Sequence, residues 1–183
     1  MQIDILNNNI HNCTLCDLRK NVCEFSYPIC GIGDNQSKIM MVNQFTNKEQ
    51  MLIEEPLDIK HSAFLRKHID TNNIYVTTLV RCPSNTQPSK NNIQQCSKWL
   101  LQEINILKPK YIIGMGKNIS CILLNCTPKT LNIDKNTVYT KMNVMRTYTT
   151  SYIYSDSIHS LMNGSNKNVE DFFSMLKRII NEP

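Results

Sequence analysis

Residues 38–49, KIMMVNQFTNKE, set four apolar side chains, Ile39 to Val42, ahead of a polar loop. A short apolar run ending in polar residues reads as a buried strand that delivers its loop to a sheet edge. Outward from it the pattern repeats. Ile74-Tyr75-Val76-Thr77-Thr78-Leu79-Val80 is rich in β-branched residues and predicts a second strand. Tyr111-Ile112-Ile113-Gly114 predicts a third and, after a loosely structured stretch, Tyr152-Ile153-Tyr154 a last central one. Helical periodicity fills the gaps. Ala63–Ile69 reads as a helix, and Ser89 caps a longer one that lines up Ile93, Cys96, Leu100, Ile104 and Leu107 and stops at Pro109. Lys117–Asn125 follows the turn Met115-Gly116 as another. Asn168 caps a closing helix with Val169, Phe172, Phe173, Leu176, Ile179 and Ile180 inward, Glu170-Asp171 early and Lys177-Arg178 late. In the other direction Gly31–Asp34 is a turn, and Ile3, Ile5, Leu6 and Ile10 outline a short helix. Strands alternating with helices predict a three-layer α/β/α sandwich with a mainly parallel central sheet, as one domain over residues 1–183.

The chain has 183 residues, 41% hydrophobic and 19% charged, which suits a globular domain with one core. A net charge of +5 permits an anionic partner such as nucleic acid without requiring one. The opening Met1-Gln2-Ile3-Asp4 is polar and no apolar run of about twenty residues occurs, so neither a signal peptide nor a membrane span is expected. The expected location is therefore the reducing cytoplasm, where eight cysteines are free or metal-bound rather than paired. Abundant asparagine, isoleucine and lysine are what an AT-rich genome produces, and a virus in its infected host cell is one such source.

Cys13-Thr14-Leu15-Cys16 lets one turn offer two thiolates to one centre, and Cys82 with Cys96 forms a second, wider pair. Two pairs from distant segments are the usual way to build a four-thiolate site. Zinc more often closes with a second tight pair. The long spacing fits an iron–sulfur cluster at least as well, and burial as small apolar side chains is the alternative to any metal. Cys23, Cys30, Cys121 and Cys126 are read as such buried apolar residues, and His11, His61, His68 and His159 as isolated surface or packing residues.

The order of these features resembles the iron–sulfur (family four) uracil-DNA glycosylases. Cys13-Thr14-Leu15-Cys16-Asp17-Leu18 is similar to their C-x-x-C-x-L, and Gly31 to Val42 to their G-x-G-x-x-x-A-x-I-M-x-V lead-in. Arg81-Cys82-Pro83, Asn85-Thr86-Gln87-Pro88 and Cys96 resemble K-C-x-P, N-R-x-P and a helical cysteine. Lys108 to Ile119 looks like K-P-x-x-I-x-x-L-G-x-x-A. The likeness runs over about residues 10–126 and more loosely beyond. It implies a 4Fe–4S cluster, with zinc the lesser alternative, held by Cys13, Cys16, Cys82 and Cys96.

The resemblance also implies a catalytic pocket, and there this chain departs. The family's G-E-A-P-G loop, whose glutamate helps activate water, matches Asn43, Gln44, Phe45, Thr46 and Asn47. Glutamine takes no proton from water at neutral pH, so Gln44 is no general base. The phenylalanine that stacks on uracil is matched by Leu57, the asparagine that reads its edge by Thr78, and the late histidine falls near Ile153-Tyr154-Ser155. Loss of all four roles implies a retired active site. DNA contact is expected to survive through Arg81 beside the cluster and through Gly116-Lys117 at a helix N-terminus. The expectation is a catalytically inactive glycosylase-like protein that binds DNA or serves as a replication accessory, with a polymerase as one conceivable partner. The alternatives are an active glycosylase for uracil or a modified base, with Phe45, Tyr152 or Tyr154 in a different pocket, and an interaction module without DNA affinity.

Overall fold

A computed structural model describes residues 2–84, 86–124, 135–136, 138–142 and 149–182. The opening run forms strand β2 (Ile39–Phe45), whose first four residues are buried. It pairs in parallel with β3 (Ile74–Val80), buried along its whole length, and on its other side with β4 (Tyr111–Met115). β6 (Thr149–Ser155) extends the sheet in parallel beside β4. Strands this buried need cover on both faces, which is why their sequences are apolar almost throughout.

Side-chain alternation splits that cover in two. Met40, Val42, Tyr75, Leu79, Ile112 and Tyr152 face Leu100 and Ile104 of α4 (Lys90–Leu107) and Ile119 of α5 (Lys117–Leu124). Ile39, Met41, Ile74, Ile113 and Ile153 face α3 (Ile59–His68), α6 (Ile158–Met162) and α7 (Asn166–Ile180) through Leu65, Ile158, Phe172 and Leu176. The three-layer α/β/α sandwich is thus present. Outside it, α1 (Gln2–His11) packs Ile3, Leu6 and Ile10 against Trp99 and Leu107 of α4.

Several details differ from the sequence reading. The expected turn at Gly31–Asp34 contains β1 (Ile32–Gly33), which pairs antiparallel with β3, and the stretch before β6 contains β5 (Val138–Met142), antiparallel to β6. The full order is β1-β3-β2-β4-β6-β5. The last helix begins at Ser165, whose side chain accepts from the Asn168 N–H, so Asn168 is the capped residue and not the cap. A short helix, α2 (Lys48–Leu52), follows β2 behind an Asn47–Gln50 capping box. Its N-x-x-Q spacing was legible in the sequence. Ser89 does cap α4, in a reciprocal box with Asn92. Asn125 and Cys126 lie outside the described residues.

From β2 the chain first moves to β3, then crosses back past β2 to β4. That reversal makes the carboxyl ends of β2 and β4 the switch point where open α/β sheets hold ligands.

Candidate functional site: a four-cysteine centre beside a carboxyl-edge crevice

The N-terminal segment is tied to the sheet by its polar side chains. Asp17 Oδ1 accepts from Asn92 Nδ2 at 2.6 Å, and Asn21 Nδ2 donates to the Pro83 carbonyl at 3.0 Å. These bonds bring Cys13 and Cys16 to Cys82, just after β3, and to Cys96 on α4. Burial, reinforced by the charges of Cys96, Cys16 and Cys13, pushes the Cys82 thiol up to about 12. Cys96 is also raised, by burial above all, while the Arg81 backbone N–H bonded to its sulfur and the Arg81 guanidinium pull the other way. The indole N–H of Trp99 donates to Cys13 Sγ at 3.2 Å. The four expected ligands therefore share one electrostatic neighbourhood, supplied with hydrogen-bond donors. Among the described residues no three His, Cys, Asp or Glu side chains are grouped to hold a single metal ion.

The other cysteines divide. Cys121 is buried as expected and Cys30 half-buried, its thiol pushed up to about 12 mainly by burial, but Cys23 is exposed.

Arg81 does not face DNA. Its side chain is 1% exposed, and Nη2 lies 2.5 Å from Oε2 of Glu103, which is 0% exposed. Nη1 donates to the Ile29 carbonyl at 3.1 Å. Glu103 in turn accepts from Tyr75 Oη at 3.0 Å and Thr77 Oγ1 at 2.8 Å. A guanidinium so enclosed has no reach to a phosphate. The expectation of a DNA contact through Arg81 is corrected by a partner twenty-two residues away, which no local pattern reveals.

At the carboxyl edge, the loops after β2 and β3 are laced together: the N–H and Oγ1 of Thr46 both donate to the Val80 carbonyl at 3.0 Å, and the Ser84 N–H donates to the Thr46 carbonyl at 3.0 Å. Asn43 Nδ2 and Gln50 Nε2 donate to the Pro56 carbonyl, at 3.4 and 2.5 Å, and so hold the turn before Leu57. Gln44 presents an amide whose Nε2 is buried without a hydrogen-bond partner. Of the two expected pocket residues, Leu57 is 5% exposed and lines a cavity at the β1 edge, while Thr78 is 0% exposed and bonded to the Val80 carbonyl at 3.3 Å.

Ile153 is likewise corrected. It pairs with Ile113 inside the sheet and is 2% exposed, because β6 runs on to Ser155. The residue that reaches the edge is Asp156, ion-paired with Lys135 at 2.9 Å. Val42, Gly114 and Tyr154 form a row in register across β2, β4 and β6, and Gln44, Gly116 and Asp156 each follow two residues later in the chain. Gly116 has φ +110°, its N–H donating to the Ser155 carbonyl at 2.8 Å. A Cβ there would strain the backbone. Lys117 follows, exposed, as the first residue of α5. Ser155 Oγ, at the end of β6, is buried and unpartnered. Sequence reasoning missed Asp156; the polar break Ser155-Asp156-Ser157 after an apolar strand, with Ser157 capping α6, was the available signal.

The histidines pack. His11 stacks on Tyr27 and His68 on Phe173, at centroid distances of 4.8 and 4.2 Å, and His61 Nδ1 lies 2.8 Å from Asp58 Oδ2. A cavity of about 270 Å³ lies away from the switch point, at the β1 edge between Ile32, Leu57, Leu65 and Val76.

Residues 31–176 match the model of the uracil DNA glycosylase superfamily. Among individual proteins, the chain is 22% identical over 134 residues to the type-4 uracil-DNA glycosylase of Archaeoglobus fulgidus, covering 67% of this chain and 64% of that one. It is 27% identical over 126 residues to that of Pyrobaculum aerophilum, covering 63% and 61%. For Saccharolobus solfataricus the values are 24% over 132 residues, covering 66% and 58%. The aligned part thus spans about three fifths of these relatives' length. With a family match over most of its length and the layered, mainly parallel sheet that carries it, the chain belongs to the uracil DNA glycosylase superfamily.

Proposed function

We propose that this protein binds DNA along its carboxyl edge, is stapled by an iron–sulfur cluster, and does not excise uracil by the route that needs a carboxylate at the end of β2. One observation carries the reading: the end of β2 presents the amide of Gln44, its Nε2 buried without a partner, where water activation needs a base, while Asp156, just past β6, is ion-paired with Lys135. An amide neither accepts nor releases a proton at neutral pH. Gly116 gives close backbone access, and Lys117 sits at the N-terminus of α5, an arrangement that favours a phosphate.

The four cysteines fit a 4Fe–4S cluster better than zinc. Trp99 Nε1–H and the Arg81 backbone N–H donate to Cys13 and Cys96, and Arg19 adds positive charge beside Cys82. When bound, the cluster supplies cross-links between the N-terminal segment, the loop after β3 and α4. Cys13, Cys16, Cys82 and Cys96 would hold it. No helix among the described residues is long and apolar enough to cross a membrane. The setting this reading suggests is a cytoplasmic accessory to DNA replication, in an infected cell if the source is viral.

The test is a pair of assays on single- and double-stranded oligonucleotides bearing uracil or modified bases. Binding that weakens linearly in log salt, with no abasic product, supports the reading. Salt-insensitive absence of binding overturns it. A second reading, an active glycosylase with a different pocket, is favoured by the unpartnered Gln44 Nε2 and Ser155 Oγ and by the carboxylate of Asp156 at the same edge. It requires abasic product that disappears in Asp156→Asn.

A further inference from the structure

Phe25 is 88% exposed, the highest value for a large apolar side chain among the described residues. The segment that carries it is tied on both sides to the residues following β3. Asn21 Nδ2 donates to the Pro83 carbonyl at 3.0 Å, and the Ile29 N–H donates to the Arg81 carbonyl at 2.9 Å. Between those ties the Ser26 N–H donates to the Cys23 carbonyl at 3.0 Å, closing a tight turn over Cys23–Ser26 with Phe25 at its outer corner. The ring therefore stands at the tip of a loop rooted at the carboxyl end of β3. Tyr27, 52% exposed, follows two residues on and is backed by the His11 ring at a centroid distance of 4.8 Å. At the root of the loop Val22 packs in the same cluster as Ile119 of α5, so loop and Lys117 share a face of the sheet as well as an edge. Arg19 and Lys20 come just before it in the chain.

A ring left in water contributes no burial to the fold, so stability does not explain Phe25 on this turn. Its chain neighbours are polar or small: Cys23 and Glu24 are exposed and Ser26 is half-buried. A protein partner would meet a contiguous apolar patch, whereas a nucleobase needs one ring face, and every base offers one in return. Resting on the DNA-binding reading, we propose that Phe25, with Tyr27 beside it, is a stacking platform for an unpaired base, so that the DNA held at the carboxyl edge is single-stranded where it crosses this loop. Lys117, Arg19 and Lys20 attract the phosphates, and the ring holds the strand by a base. Glu24, on the same turn, repels phosphate, which suits a contact made to a base and not to the backbone. A paired base keeps its faces inside the duplex and offers none. With the loop anchored at both ends, little ordering is lost when the base arrives.

The experiment is fluorescence anisotropy of the full chain with three labelled oligonucleotides: a single strand, its blunt duplex, and the same single strand with abasic residues in place of its central bases. Wild type should bind the intact single strand tightest. Phe25→Leu keeps an apolar side chain and removes the ring, and its exposed position spares the fold. It should bind the intact single strand about tenfold more weakly, the order expected for one stacked base. The slope against log salt should stay unchanged, because no phosphate contact is lost. Phe25→Trp should bind at least as tightly as wild type. On the abasic strand and on the duplex, wild type and Phe25→Leu should be indistinguishable. A Phe25→Leu protein that binds the intact single strand like wild type overturns the stacking role, and so does a loss that persists on the abasic strand. Wild-type protein that binds none of the three overturns the DNA-binding reading itself, and that failure is seen before any variant is made.

Discussion

The indole N–H of Trp99 donates to Sγ of Cys13 across 3.2 Å, joining the middle of α4 to a turn eighty-six residues earlier in the chain. The same tryptophan packs against Ile3, Leu6 and Ile10 of α1. One side chain thus couples the N-terminal helix to the cysteine centre.

Trp99→Phe keeps the packing and removes the donor. A hydrogen bond to a charged sulfur contributes about 1.5–3 kcal/mol, so cluster loss to a chelator should speed up by about tenfold or more. Unchanged bleaching of the visible band would show that the bond is incidental.

The Arg81–Glu103 pair should respond asymmetrically to mutation. Glu103→Gln leaves a buried guanidinium without its counter-charge and should lower unfolding free energy by about 3–5 kcal/mol. The paired Arg81→Met/Glu103→Met change should recover most of that loss. Urea unfolding of both variants measures the difference, and equal destabilisation by the two would contradict a charge-balanced pair.

Gly33 holds φ +117°, and a Cβ there would collide with the Ile74 carbonyl oxygen. Gly33→Ala should destabilise by about 2 kcal/mol or more, with both backbone strain and collision contributing. A change below half of that in thermal unfolding would mean that β1 is free to lift from β3.

Acid should loosen the C-terminus first. The ammonium of Lys110 and the hydroxyl of Tyr111 hold the Glu182 carboxyl below its usual range. A depressed carboxylate pKa gives stability that is present above the unfolded value, near 4.5, and lost as pH falls through the folded one. Protection from hydrogen exchange at the end of α7, relative to the intrinsic rate, should therefore fall as pH drops below about 4.5, and Glu182→Gln should show the reduced protection already at neutral pH. A variant that exchanges like wild type at neutral pH would remove the clamp from the account.

Placing an acid at the end of β2 should not by itself give uracil excision. In Gln44→Glu a carboxylate stands at the end of β2, but Leu57 remains a buried aliphatic. The expectation is no abasic product from uracil-bearing DNA under conditions in which the Archaeoglobus relative is run as a positive control. Product from this single change would show that the rest of the crevice is intact.

Local features of the chain were readable because their physics is local. Apolar runs at Ile39, Ile74 and Tyr111, the Ser89 cap and the inward face of α7 each depend on neighbours within a turn or two, so their strands, helices and layers followed from residue order. The amide at Gln44 was equally plain, since a side chain's proton chemistry is fixed by its type. The tertiary structure decided what depends on register and on distant partners. Arg81 is interior only because Glu103 arrives from α4, and Asp156 replaces Ile153 at the crevice only because β6 runs two residues past its pairing with Ile113. A strand's apolar pattern tells which faces are buried but not where the strand stops against its neighbour. That end point selects which residue meets a ligand.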